Sequence, residues 1–86
     1  MVSDEIRKKA VDMDAQFHLG KEGITNNFLK SINEYLEAHE LVKIRAKIAT
    51  DKNSLEYYSG AVAEELDAEV CFKRGSTFAL YRRKKD

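Results

Sequence analysis

From Val42 to Ile48 every second residue is apolar (Val42, Ile44, Ala46, Ile48) and every residue between is basic (Lys43, Arg45, Lys47). A period of two belongs to an extended chain with one face buried and one in water, so this segment is a strand. The flanking segments keep a different period. Phe28, Leu29, Ile32, Tyr35 and Leu36 recur at helical spacing and predict a helix over about 25–38. Leu55, Tyr58, Val62 and Leu66 predict another over about 53–66, with Thr50, Asp51, Asn53 and Ser54 as N-cap candidates. A strand held between two amphipathic helices must bury its apolar face against them, which requires helices layered on a sheet.

The remaining segments complete that sheet. Ser3, Asp4 and Glu5 supply a helix start for about 4–13, with Ile6, Ala10 and Met13 on one stripe. Gln16 to Leu19 alternates as a short strand with Phe17 and Leu19 on one face, and stops at Gly20. Ala68–Phe72 and Thr77–Tyr81 read as a hairpin joined by Lys73-Arg74-Gly75-Ser76, with Gly75 giving the turn geometry. Phe78 and Leu80 face one way and Tyr81 the other. The order α-β-α-β-α-β-β gives an α/β class with one four-stranded sheet and three helices. Gly60, inside the third helix, costs about 1 kcal/mol against alanine and so points to close packing there. There is no proline, linker or repeat. The expectation is one domain over 1–86, with 83–86 a flexible basic tail.

With 86 residues there is no room for a second core or a large enclosed substrate cavity. The formal net charge is zero, yet residues 1–40 carry eight acids and five bases and residues 41–86 carry seven acids and ten bases. The positive charge gathers at Lys43, Arg45 and Lys47, and at Lys73, Arg74, Arg82, Arg83, Lys84 and Lys85. Such stretches either track phosphates or form solvated faces. Three phosphates neutralised on single-stranded RNA would give a salt slope of about −2, and a solvated face none. A single cysteine, Cys71, excludes an internal disulfide and suits a reducing cytoplasm. No apolar run is long enough to span a membrane. His18 and His39 lie far apart without ligand spacing, so neither a metal nor a cofactor is expected. No nucleophile–base or paired-carboxylate arrangement points to an enzyme.

Gly20-Lys21-Glu22-Gly23 joins the first strand to the second helix. Glycines without Cβ atoms let another backbone approach and permit positive φ, and a following helix N-terminus favours an anion. A Gly-x-x-Gly loop used this way is the clamp of KH-type RNA-binding modules, although the same spacing also serves as a plain turn.

Three motifs in order, His18-Leu19-Gly20-Lys21-Glu22-Gly23-Ile24-Thr25, His39-Glu40-Leu41-Val42-Lys43-Ile44, and Gly75 followed by Leu80-Tyr81-Arg82, resemble the CRM domain, the YhbY-like RNA-binding family. The resemblance covers nearly the whole chain. Glu22 stands where the family commonly has asparagine. The resemblance implies a fold like the C-terminal domain of translation initiation factor three, and binding of structured RNA, ribosomal RNA of large-subunit precursors above all. The RNA-binding set it and the charge pattern suggest is Gly20, Lys21, Glu22, Gly23, Thr25, Lys43, Arg45, Lys47, Lys73, Arg74, Arg82, Arg83, Lys84 and Lys85, acting in a monomer. A second reading, a protein-interaction adaptor on the same fold, follows from zero net charge and Glu22.

Overall fold

In a computed structural model, which describes residues 3–83, the chain forms α1 (Asp4–Asp12), β1 (Phe17–Leu19), α2 (Asn26–His39), β2 (Leu41–Ala46), α3 (Lys52–Leu66), β3 (Glu69–Arg74) and β4 (Thr77–Tyr81). The sheet runs β1-β2-β4-β3. β1 pairs parallel to β2, and the other two pairings are antiparallel. The parallel pair needs a crossover, and α2 provides it. Ser3 and Asp51 cap α1 and α3 as expected, accepting from the amides of Ile6 and Ser54, and Thr25, for which no capping role was expected, caps α2 by accepting from Phe28.

The sheet is covered on both faces. Leu19, Val42, Ile44, Phe78 and Leu80 meet Ile32 and Leu36 of α2 and Leu55, Val62 and Leu66 of α3 in the main core. On the other face Ala10 of α1 packs with Leu41, Cys71 and Ala79, and Ile6, Met13, Phe72 and Tyr81 surround them. Burial pushes the Cys71 thiol up to about 11, so it behaves as a small apolar side chain.

Four expectations change. β2 ends at Ala46, because Lys47 and Ile48 turn towards α3 and the amide of Ala49 donates to Ala46. β3 extends to Arg74, leaving only Gly75 and Ser76 in the hairpin turn. Gly75 has φ 60, which suits the first central position of a type II′ turn. Gly60 is not explained by packing: it is exposed, and an added Cβ would meet nothing within 4 Å. Lastly, β3 is bulged between Val70 and Phe72. Val70 lies opposite Leu80 and Phe72 opposite Ala79, so Cys71 and Phe72 both face α1. Lys73 is thereby moved to the α3 face.

Candidate nucleic-acid interface

The loop after β1 is a turn closed by the amide of Gly23 donating to the carbonyl of Gly20 at 3.0 Å. Gly23 has φ 72, a left-handed conformation that glycine adopts without cost. Gly20 differs: its φ lies outside that region and a Cβ there would meet nothing within 4 Å. No intramolecular demand makes residue 20 a glycine. What its bareness offers is a close approach for a group from outside. Ile24 and Leu29, at the two ends of the α2 start, pack against the core and hold the loop's exit.

The loop borders a depression of about 410 Å³ lined by His18, Gly20, Lys21, Glu22, Gly23, Thr25 and Phe28. Lys21 and Glu22 are exposed and have no hydrogen-bond or ion-pair partner among the described residues. Thr25 is the N-cap, its Oγ1 accepting from the Phe28 amide at 3.1 Å. Its hydroxyl proton remains for another acceptor.

The basic residues do not form one surface. Lys43 is drawn under α1: its Nζ donates to the carbonyls of Met13 at 2.9 Å and Val11 at 3.3 Å and lies 4.8 Å from the centre of the Phe72 ring. It caps the C-terminal end of α1, where a cation offsets the helix dipole. The expected triply basic face of β2 therefore reduces to Arg45, since Lys47 lies beyond the strand end. Lys73 faces α3 and pairs with Glu56 at 3.1 Å, whereas Arg74 faces the α1 side.

Arg82 is also taken up by the fold. Its Nη1 donates to Asn33 Oδ1 at 2.7 Å and to the Leu66 carbonyl at 2.8 Å, and its Nη2 to the Asn33 carbonyl at 3.2 Å. The expectation of a free surface cation is corrected here, because three donors of its fork already tie α2, α3 and the end of β4 together. Arg82 and exposed Arg83 follow Tyr81, at the end of the sheet away from the loop. At a rise of ~3.4 Å per residue, the five steps from Thr77 put Arg82 about 17 Å from the loop end. Lys84 and Lys85 lie outside the described residues. Among the described residues no group of three or more His, Cys, Asp or Glu could hold a metal ion, and no helix is long and apolar enough to cross a membrane.

His18 is the neighbour that the charge pattern missed. It projects from β1 on the face opposite Phe17 and Leu19, and the alternation of Phe17 and Leu19 was the available signal.

The sequence of residues 3–82 matches the model of the CRS1/YhbY (CRM) domain. The chain is 31% identical over 83 residues to Probable RNA-binding protein YqeI of Bacillus subtilis (strain 168), covering 94% of this chain and 83% of that protein. Its fold is similar to the solution structure of hypothetical protein SAV1595 from Staphylococcus aureus, a protein thought to bind RNA, with a TM-score of 0.80, 26% identity and coverage of 100% of this chain and 93% of that one. With the family model matched from the cap of the first helix to the end of the last strand, the chain belongs to the CRS1/YhbY (CRM) domain family.

Proposed function

We propose that this chain binds structured RNA through the loop 20–23, and that the RNA is ribosomal RNA of the large subunit during assembly. Gly20 carries the reading. It is a glycine without positive φ and without a neighbour that would exclude a side chain, at the rim of a depression that also holds the unpaired Lys21. A ribose-phosphate backbone is a group that can use both, the bare Cα for approach and the ammonium for charge. The names of the B. subtilis and S. aureus relatives support RNA as the class of partner. Arg45, Arg74 and Lys47 extend the positive surface near the loop end of the sheet. In this reading the protein acts as a cytoplasmic monomer, holding an RNA fold without catalysis and without a cofactor.

The test is affinity for large-subunit ribosomal RNA fragments across a salt series, for the wild type and for the pair Lys21→Asp with Glu22→Asp. Both glycines remain, so the turn survives while the lysine charge is reversed. A salt-dependent wild type and a loss of tenfold or more, about 1.4 kcal/mol, is the expected outcome. Equal, salt-insensitive weak binding by both proteins sinks the reading and leaves the protein-interaction adaptor.

A further inference from the structure

The pairing register carries the chemistry of the loop across the sheet. His18 stands opposite Arg45, Arg45 opposite Thr77, and Thr77 opposite Arg74. These four residues form one row at right angles to the strands. Their neighbours fix the face: Ile44, Ala46 and Phe78 belong to the core under α2 and α3, so the row, alternating with them, lies on the α1 side. α1 does not cover it, for His18, Arg45 and Arg74 are exposed and Thr77 is half-buried. Among the described residues neither guanidinium, nor the His18 ring, has a hydrogen-bond or ion-pair partner. Strands ~4.8 Å apart make the row about 14 Å long. One end of it is the loop itself, since His18 lines the same depression as Gly20 and Lys21.

Resting on the RNA reading above, we propose that this row is a track for a single-stranded RNA segment leaving the loop. Arg45 and Arg74 offer planar forks that match phosphate, and Thr77 between them offers a hydroxyl. The borders of the row select one strand over two. On one side the next row holds Lys43, whose ammonium is already bound to the last carbonyls of α1. There the end of α1 itself stands on the sheet, its last carbonyls taken up by Lys43 and its surface carrying Lys9 as well as Asp12 and Asp14. On the other side the strands stop. A row one residue wide serves one phosphate chain, and the second chain of a duplex would run into α1, which occupies the sheet beside the row.

The experiment compares a blunt stem-loop of large-subunit ribosomal RNA with the same stem-loop carrying an oligouridine tail of roughly ten nucleotides at either end. Binding is followed by fluorescence anisotropy for the wild type, Arg45→Gln with Arg74→Gln, Arg74→Gln alone, and Lys21→Asp, with thermal melting as the check on folding. The wild type is expected to bind a tailed RNA at least tenfold more tightly than the blunt one. The paired arginine variant should lose that gain, with a larger loss on tailed than on blunt RNA, and show a salt slope on tailed RNA shallower by about 1.4, from roughly 0.7 per phosphate contact. Arg74→Gln alone, at the hairpin end, should lose part of the gain even if the paired variant folds poorly. Lys21→Asp should weaken both RNAs. Tight blunt-RNA binding with no response to a tail, or a tail gain untouched in folded arginine variants, overturns the track alone. Wild-type binding to neither RNA overturns the loop reading together with the track.

Discussion

Two glycines three residues apart serve different ends. Gly23 is required by its own backbone, at φ 72, whereas Gly20 is unconstrained from within. Alanine at the two positions should therefore separate folding from binding. Gly23→Ala forces a Cβ into the left-handed region at about 1–2 kcal/mol, partly offset by a stiffer unfolded chain. Chemical denaturation should show that variant destabilised. Gly20→Ala should leave stability unchanged or slightly raised while weakening RNA binding, because the new methyl stands where the RNA backbone would pass. A Gly20→Ala protein that binds RNA as the wild type does would remove the main support for the clamp. Both glycines were legible in the sequence, but their division of labour was not, because it depends on φ and on what surrounds each Cα.

At the scale of elements, the helices were the most legible part, because periodicity and caps act over a few residues. Asp51 shows this directly: its carboxylate accepts from the Ser54 amide at 2.7 Å, and that bond holds its pKa below the usual value of 3.8. A lowered folded pKa means that the cap stabilises fully above the ordinary carboxylate range and is lost as the pH falls through the folded pKa. Denaturation of the wild type and Asp51→Ala should therefore show a stability gap that is complete at neutral pH and closes in strong acid. Asp51→Asn, which caps without titrating, should keep its advantage over alanine throughout. The strands were less legible. Their existence followed from alternation, but the β3 bulge did not, since nothing local to Val70–Phe72 marks an inserted residue. It arises because Cys71 and Phe72 are both drawn into the apolar cluster beneath α1. One consequence is that Lys73 lies on the α3 face and Arg74 on the α1 face, the reverse of what unbroken alternation from Val70 would give.

Over the whole molecule, Arg82 joins what the chain keeps apart, with Asn33 lying 49 residues and Leu66 lying 16 residues away in sequence. Charge-assisted hydrogen bonds of this kind contribute about 1.5–3 kcal/mol each when both partners are held. Arg82→Ala should lower the melting temperature clearly, and Arg82→Lys should recover little of it, because one ammonium cannot replace a planar fork reaching two helices. Full recovery by lysine would reduce Arg82 to a surface charge. The sequence by itself determined the element order, the caps of α1 and α3, the split into apolar and charged faces and the Gly-x-x-Gly loop, all of which rest on interactions within one turn or one strand. Only the tertiary structure decided which cations remain available. Lys43 is bound by α1, Lys73 by α3 and Arg82 by two helices, while Arg45 and Arg74 are brought into line with His18 by strand register. Each of those outcomes is set by contacts between residues far apart in the chain, where local pattern carries no information.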